Sequence, residues 1–355
     1  MSQNPLDEEN LRARIQEVLD DFVEAHRRPL DEASSDAMLL CDSLQELLTG
    51  GKRLRPAFSY WGYRSTGAPH SDAIVKASAS LELLQACALI HDDVMDGSDT
   101  RRGNPAVHRQ FEAVHTSQAW QGQASSFGIG AAILVGDLAL SWADTLLCNA
   151  GLSAEELIRA KSIYDVMRTE LMAGQYLDLL EQARQDTTAE QARNVIRYKS
   201  AKYTIERPLN LGAAIGAASE AHQAILTTYG LALGEAFQLR DDLLGVFGTP
   251  AQTGKPAGDD LREGKQTVLI ATARSANDDA VNALLSRHLG NPQISSEDVA
   301  RLQDGLVSTG AVDYVEQQIT KLTEQALEAL ASPLIEISAR TALTQLAVMA
   351  TQRTN

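Results

Sequence analysis

The chain has 355 residues, with 47 acidic against 31 basic side chains and a formal net charge of −16. This charge argues against nucleic-acid binding, because a phosphate backbone needs a basic surface. A hydrophobic fraction of 44% is enough for a buried core and argues against disorder. The N-terminus is polar and acidic, and no uninterrupted apolar run is long enough to span a bilayer. We therefore expect a soluble, cytoplasmic protein with no membrane insertion.

Helical periodicity extends through nearly the whole chain, and no segment has the alternation of a strand. The pattern predicts helices at 7–26, 33–49, 54–66, 73–96, 125–149, 153–182, 187–199, 202–218, 220–246 and 264–275, with several more from 277 to the end. Glycine-containing segments at 50–51 and 67–69 separate the early helices. Neither a repeat nor a shift in composition divides the chain. The sequence predicts an all-α protein in which residues 1–355 form one large helical-bundle domain.

Acidic residues cluster where the predicted helix 73–96 ends. In the stretch LIHDDVMDGSDTRRG, Asp92, Asp93 and Asp96 follow an apolar run. At helical spacing their carboxylates lie near one another, and both mutual repulsion and the helix dipole disfavour that arrangement. Bound cations would relieve the repulsion, because carboxylate oxygens are the ligands that Mg²⁺ prefers. A solvated helix end is the alternative interpretation.

A second acidic pair strengthens the metal hypothesis. The stretch QLRDDLLG places Asp241 and Asp242 on another apolar helix. Two such pairs that face each other across a bundle would form a multi-metal cavity. Either pair alone would be weak support, but together they favour a metal site.

Basic residues stand beside these acids. Lys52, Arg53 and Arg55 follow a Gly-Gly turn at a helix start, where backbone N–H groups favour an anion. Further basic residues are expected in or beside loops: Arg101, Arg102, Lys199, Lys255 and Lys265. A lone basic residue is more often a solvated surface charge. Acids suited to metal beside bases suited to phosphate nevertheless indicate a polyphosphate substrate.

Six motifs, between about residues 45 and 270, occur in the order typical of trans-isoprenyl diphosphate synthases, the polyprenyl synthetases. They are GGKRLRP, LLQACALIHDDVMDGSDTRRG, GQYLDL, YKSAKYT, FQLRDDLLGVFG and TGKPAGDDLREGKQT. Within this family the chain most resembles the actinobacterial geranylgeranyl diphosphate synthases. The resemblance implies an isoprenoid-synthase bundle around a deep central cavity, usually as a homodimer. It also implies Mg²⁺, as three ions, or Mn²⁺, and head-to-tail condensation of isopentenyl diphosphate with allylic diphosphates.

The resemblance assigns roles to particular residues. It implies metal ligands at Asp92, Asp93, Asp96, Asp178, Asp241 and Asp242, with Gln175 beside them. It implies contacts to the allylic diphosphate from Arg101, Lys199, Ser200, Lys255 and Lys265, and contacts to isopentenyl diphosphate from Lys52, Arg55, Gln85 and Arg102. Phe237 and Gln238 would lie near the reacting double bonds. One residue departs from the family pattern, because Gly245 stands where the second motif usually ends in a third Asp.

Product length is expected to depend on the helix that leads to the first motif. Cys87 and Ala88 are small and lie roughly 6–8 Å before Asp92, at ~1.5 Å per residue. Leu84 and Leu81 would form the floor beneath them. We expect mainly geranylgeranyl diphosphate (C20), with farnesyl or longer-chain products as the alternative.

Three other functions are alternatives. They are a class I terpene cyclase, a non-catalytic subunit of a heteromeric synthase, and an acidic scaffold that only binds cations. The departing diphosphate is the expected base, whereas His91 and His108 are expected to be structural.

Overall fold

The computed structural model describes residues 5–184, 186–249 and 257–351, and these residues are helical almost throughout. The prediction of an all-α fold is confirmed. The helices of the first half share an apolar face toward one core. They are α1 Leu11–His26, α2 Arg28–Ala33, α3 Met38–Leu48, α4 Leu54–Arg64, α5 Asp72–Asp96, α6 Val107–Ser117, α7 Ala124–Cys148 and α8 Ala154–Arg184.

The second half continues in the same way. Its helices are α9 Ala189–Val195, α10 Arg207–Ile215, α11 Glu220–Phe247, α12 Asp259–Glu263, α13 Val268–Ser275, α14 Asp279–His288, α15 Ser296–Ser308, α16 Ala311–Ala329 and α17 Ile337–Thr351. A π-helical segment, Ile196–Glu206, joins α9 to α10.

The helices α5 and α7 form the centre of the first hydrophobic core. They pack against each other along their length. Both are long and apolar enough to cross a membrane by length and composition, but 72% and 50% of their apolar windows are buried inside the protein. This burial identifies them as core helices. Ser71 caps the start of α5, and Gly97, in the left-handed conformation, ends it directly after Asp96.

A second hydrophobic core lies around α11, α13, α15 and α16. Leu239 and Leu243 of α11 belong to it, whereas Leu84 and Ile90 of α5 belong to the first core. Each acidic motif is therefore carried by a helix that its own core holds in place.

Two sequence predictions are wrong in detail. A short antiparallel pair, β1 Thr100–Arg101 and β2 Asn104–Pro105, contradicts the prediction of no strand. Strands of two residues are too short to show alternation in the sequence. The positive φ angles of Arg102 and Gly103 are typical of a hairpin turn. The predicted break between 199 and 202 is also absent. A π turn takes about one residue more than an α turn, which shifts the apolar period there.

Candidate active site

The first predicted metal residue, Asp92, lies at a junction of three helical elements. Lys199 Nζ lies 3.0 Å from Asp92 Oδ1 and 2.6 Å from Asp178 Oδ2, and Gln175 Nε2 donates to Asp92 Oδ1 at 2.9 Å. Burial acts to raise the pKa of Asp92, but the charge of Lys199 and its hydrogen bond outweigh burial and lower it. Lys199 lies inside the π-helical segment Ile196–Glu206. This corrects the prediction that Lys199 lies in or beside a loop.

Asp93 does not share this junction, so the three carboxylates expected to lie near one another at the end of α5 do not all have the same partners. Asp93 is buried, and both of its oxygens accept hydrogen bonds from Arg101. Arg101 is the family's expected diphosphate contact, and here Asp93 fixes its guanidinium beside Asp92, at 3.8 Å. The reason is helical geometry: adjacent residues point about 100° apart, so Asp93 faces the hairpin that carries Arg101.

Two acidic side chains carry strongly raised pKa values. Burial, followed by the charge of Asp92, raises the pKa of Asp96 to about 7. Burial, followed by the charge of Asp260, raises the pKa of Asp242 to about 8. Asp96 Oδ1 is buried without a hydrogen-bond partner among the described residues. Acids of this kind are poised to accept a cation.

The second motif divides into an exposed and a buried carboxylate. Asp241 is exposed, whereas Asp242 is buried and accepts a hydrogen bond of 2.8 Å from Gln238 Nε2. Lys265 lies between the two motifs, since its positive charge lowers the pKa of both Asp96 and Asp242. Its ammonium also contacts Asp260 at 3.2 Å and Glu263 at 2.8 Å.

Asp260 and Glu263 belong to the site although the sequence analysis gave them no role. Glu263 Oε1 accepts a hydrogen bond of 3.1 Å from Ser98, which follows the first motif. The signal that could have identified them was their position between Lys255 and Lys265 in one motif. No group of three His, Cys, Asp or Glu side chains in the described part of the chain forms a ready-made metal cage. Mg²⁺ does not require one, because it usually takes one or two carboxylates and completes its shell with water and phosphate.

Basic side chains form a second centre around the start of α4. Arg55 Nη2 donates to Thr204 Oγ1 at 2.8 Å, and the Arg55 guanidinium lies 4.3 Å from the centre of the Tyr203 ring. Tyr203 also donates to Gln85 Oε1 at 2.8 Å. Arg55 Nε is buried without a partner among the described residues, so this group retains a donor for an anion. Tyr203 and Thr204 had no assigned role in the sequence analysis.

Arg102 completes the basic centre. Its Nη1 donates to the Leu47 carbonyl at 3.1 Å, and its guanidinium lies against Gly51 so closely that a Cβ there would be 3.2 Å away. Burial, with the nearby charges of Arg53, Arg55 and Arg101, lowers the pKa of Arg102 although Glu82 opposes this. Such crowding of like charges favours an anionic ligand.

Four predicted residues remain. Lys52 is exposed, and Ser200 and Phe237 are half-buried. Lys255 lies outside the described residues.

The residues expected to set product length line the core side of α5. Leu84 and Cys87 are buried, and Ala88 is half-buried. Burial raises the pKa of the Cys87 thiol to about 12, so this position is apolar in character.

His91 turns toward α7, where its Nε2 lies 3.2 Å from the Ile133 carbonyl.

An open cleft of about 930 Å³ adjoins the site through Gln182 and Glu263. It lies between the end of α8 and the helices α13 and α14 and contains none of the predicted site residues. The candidate site residues lie instead at the junction around Asp92 and in the basic centre around Arg55 and Arg102.

Comparison with known proteins gives one consistent family. The sequence model of the Polyprenyl synthetase family matches residues 37–306. A geranylgeranyl diphosphate synthase from Mycobacterium tuberculosis is 31% identical, over 95% of this chain and 91% of its own length. A geranylfarnesyl diphosphate synthase from Aeropyrum pernix is 31% identical, over 81% and 85%.

Solved structures agree with the sequence relatives. The crystal structure of geranylgeranyl pyrophosphate synthase from Corynebacterium glutamicum, complexed with isoprenyl diphosphate and magnesium, is 41% identical. It covers 97% of this chain and 98% of its own, with a TM-score of 0.93. The chain belongs to the polyprenyl synthetase family. The predicted resemblance to trans-isoprenyl diphosphate synthases is confirmed, as is the prediction of a prenyltransferase enzyme.

Proposed function

We propose that this enzyme condenses isopentenyl diphosphate with allylic diphosphates, head to tail and in the trans configuration, to give mainly geranylgeranyl diphosphate. The observation that carries the proposal is the pairing of two centres. The acidic centre at Asp92, Asp178 and Lys199 suits a metal-bound diphosphate. The basic centre at Arg55 and Arg102 suits a second diphosphate that needs no metal. Two diphosphates are what this condensation requires.

Mg²⁺ fits the acidic residues. Asp96 has a buried oxygen without a partner among the described residues, and burial with like charges raises the pKa values of Asp96 and Asp242. A divalent cation bound there would give the Asp96 oxygen a partner and would lower the pKa values of both acids. We assign Asp92, Asp96 and Asp178 to one side of the cation site and Asp241 and Asp242 to the other. We assign Asp93 the role of positioning Arg101, in place of the metal-ligand role that the resemblance implied. Bound Mg²⁺ would supply Lewis-acid stabilisation of the leaving diphosphate.

The chain's own cations stabilise the same leaving group. Lys199, Lys265 and Arg101 are held by acidic partners at the edge of the site, and we assign Lys255 to the same task. They favour departure of the allylic diphosphate, which leaves an allylic carbocation. The apolar side of α5 excludes water that would quench this cation.

The basic centre orients the second substrate. We assign the diphosphate of isopentenyl diphosphate to Lys52, Arg55, Gln85 and Arg102. Its double bond then attacks the carbocation, and a proton leaves the new bond's neighbouring carbon. The departed diphosphate is the base we propose, because His91 packs toward α7.

Product length follows from small residues below Asp92. Cys87 and Ala88 leave space for a tail longer than C15, and Leu84 and Leu81 are buried beneath them. Farnesyl or longer products remain the alternative outcome, since both geranylgeranyl and geranylfarnesyl synthases occur among the relatives. A terpene cyclase would not need the basic centre around Arg55.

We further propose a cytoplasmic homodimer in which each chain forms one domain. The exposed face of α7 supports the dimer, because Ile129, Ile133 and Leu134 are 41–58% exposed at helical spacing. A second copy of the same apolar face would cover it. The cysteines Cys41, Cys87 and Cys148 are free thiols, as is common in the cytoplasm.

The test is a product analysis. Purified protein is incubated with Mg²⁺, labelled isopentenyl diphosphate and, separately, dimethylallyl, geranyl and farnesyl diphosphates, and the products are resolved by chain length. We expect C20. A C15 product would keep the enzyme but raise the floor above Cys87, and C25 would lower it below Leu81.

A matched pair of variants assigns the activity to the site. Asp92→Asn should lose at least about 10²-fold in kcat, as when one electrostatic stabiliser is removed. Asp165→Asn makes the same charge change on the outer surface of α8, at a side chain 49% exposed, and should leave kcat within about twofold. Folded protein that condenses none of the primers would refute the proposed function.

A further inference from the structure

The π-helical segment Ile196–Glu206 supplies side chains to both centres of the site. Lys199 contacts Asp92, whereas Thr204, five residues later, accepts a hydrogen bond of 2.8 Å from Arg55. In an α-helix, five residues turn through about 500°, which would leave these two side chains about 140° apart. A π-helix bonds each residue to the fifth one along the chain, so residues five apart lie on one face. The π register therefore places Lys199 and Thr204 on the same face of the segment.

Glycines on the two neighbouring helices allow this segment to pack closely. A Cβ atom added to Gly174 of α8 would overlap the Lys199 backbone. On α11, a Cβ atom added to Gly234 would lie 2.5 Å from Ala201 Cα, which is too short for any side chain. The backbone of the segment therefore packs directly against α8 and α11, and this packing sets its position.

The Glu170 carboxylate, on α8, holds a second pair of side chains at the same spacing. It accepts hydrogen bonds from Lys202 and from Arg207, which donates through Nε at 2.7 Å and Nη2 at 2.9 Å. Lys202 and Arg207 are also five residues apart, and the Arg207 N–H closes the last π turn on the Lys202 carbonyl. The π turn brings both side chains to one carboxylate, whereas an α turn would separate them by about 140°. The Glu170 side chain is only 17% exposed, so solvent screens these ion pairs little.

We propose that Glu170 is the positioning residue that holds this π register. By keeping Lys202 and Arg207 on one face of the segment, it keeps Lys199 and Thr204 on another, where they reach the acidic and the basic centre. The inference rests on the proposed function, because that function assigns one diphosphate to each centre. Glu170 thereby orients groups for both substrates through a single segment.

A simpler explanation is that Glu170 only stabilises the fold, since breaking a largely buried ion pair is destabilising. The two explanations differ in the KM values. A variant that is only less stable contains fewer folded molecules, so its kcat falls while the KM of the folded molecules stays the same. A displaced register changes the groups that hold each substrate, so both KM values rise.

The experiment is steady-state kinetics of Glu170→Gln, with farnesyl diphosphate and isopentenyl diphosphate varied in turn. This substitution keeps the shape of the side chain and removes its charge. Both KM values should rise, and kcat/KM for each substrate should fall about 10–100-fold, because misplacing reacting groups by about 1 Å can cost about 10²-fold. Glu170→Asp keeps the charge and should recover most of this loss.

Glu9→Gln is the matched control. Glu9 also accepts hydrogen bonds from two side chains, Arg64 at 2.7 Å and Tyr60, toward the other end of α4 from Arg55. Removing its charge should leave both KM values unchanged.

Lys202→Met is a second variant, which keeps the pair between Glu170 and Arg207 and carries the test if Glu170→Gln does not fold. It should raise both KM values. Combined with Glu170→Gln it should add no further rise, because both substitutions break one contact.

The outcomes separate this inference from the proposed function. Wild-type KM values in folded Glu170→Gln, or a rise in only one of them, would overturn the inference and leave the function intact. Wild-type protein that condenses no primer would refute the proposed function and the inference together. Circular dichroism of each variant confirms that it is folded.

Discussion

The Lys199 ammonium joins two carboxylates from different helices, with Nζ 3.0 Å from Asp92 Oδ1 and 2.6 Å from Asp178 Oδ2. The lysine comes from the π-helical segment, so three elements meet at one charge. The two carboxylates hold the pKa of Lys199 above its ordinary value although burial acts to lower it. We expect the ammonium to exchange these partners for diphosphate oxygens once Mg²⁺ compensates the acids.

Replacing Lys199 by Gln should weaken the binding of the allylic substrate more than that of isopentenyl diphosphate. A hydrogen bond to a charged group contributes about 1.5–3 kcal/mol, which corresponds to about 10–100-fold in affinity. The KM for farnesyl diphosphate should rise by this factor at saturating Mg²⁺, whereas the KM for isopentenyl diphosphate should change little. Steady-state kinetics with each substrate varied in turn measures both.

Lys161 provides the matched control for Lys199. Its ammonium also joins two carboxylates, Asp144 at 2.6 Å and Asp165 at 2.9 Å, but away from both centres. Lys161→Gln should leave both KM values unchanged. An equal rise of both KM values in Lys199→Gln would contradict a role confined to the allylic diphosphate.

Metal binding should depend on pH between 6 and 8.5. Burial raises the pKa values of Asp96 to about 7 and Asp242 to about 8, above the ordinary value of 3.8. The folded chain therefore retains protons that the unfolded chain has lost, and the free energy of unfolding of the metal-free protein falls as pH rises through 7 and 8. Mg²⁺ needs ionised carboxylates, so its binding should tighten over the same range and release protons.

Calorimetry in two buffers of different ionisation enthalpy measures the proton release. Thermal unfolding in the presence of a chelator, from pH 6 to 8.5, measures the stability. Asp242→Asn should remove the part of both effects near pH 8. Proton uptake on Mg²⁺ binding would contradict the assignment of these acids.

Enlarging residue 87 should shorten the product. Cys87 is buried on the core side of α5, five residues before Asp92, or ~7.5 Å at ~1.5 Å per residue. Cys87→Phe would place an aromatic ring in the path of the growing tail, and the main product should change from C20 to C15. Cys148→Phe introduces the same ring at an exposed position and should leave the product unchanged. A C20 product from Cys87→Phe would place the tail elsewhere.

The buried ion pair between Arg53 and Glu82 should stabilise the basic centre. Arg53 has a left-handed backbone, with φ +54, and turns inward to donate to Glu82 and to the Leu48 carbonyl. Lys52 and Arg55 lie on either side of it in the sequence. Removing one partner of a buried pair costs about 3–5 kcal/mol, so Glu82→Gln should lower the free energy of unfolding in urea by that order.

An exposed ion pair serves as the control for the buried one. Arg28 and Glu32 are paired on α2 with side chains 84% and 61% exposed, and Arg28→Met should cost at most about 0.5 kcal/mol. Glu82→Gln should also raise the KM for isopentenyl diphosphate, because Arg53 would no longer hold the loop between α3 and α4 in place. Equal stability losses in the two variants would show that the buried pair is not special.

A charge on the exposed face of α7 should dissociate the proposed dimer. Leu134→Glu would bury a carboxylate in the interface, whereas Val307→Glu introduces the same group on α15 at a site of similar exposure, 56% against 58%. Light scattering after size exclusion should give one chain for Leu134→Glu and two for Val307→Glu. A wild-type protein that elutes as one chain would contradict the dimer.

The sequence by itself determined the helical fold and most of the chemistry. Apolar periodicity gave α5 and α11 to within about a residue at each end, because these long core helices repeat one pattern many times. The acid motifs and basic motifs could be identified because each lies within a few consecutive residues. The residue types alone then predicted metal and diphosphate.

Only the tertiary structure decided which of these residues meet. Asp93 and Asp92 are neighbours in sequence, yet one faces Arg101 and the other Lys199. Gly245 and Asp260 are fifteen residues apart, yet their atoms are in contact. Local patterns specify elements, but contacts between elements depend on how two separate cores orient α5, α11 and the segment that carries Lys199. That orientation arises from packing over the whole chain, which no single motif records.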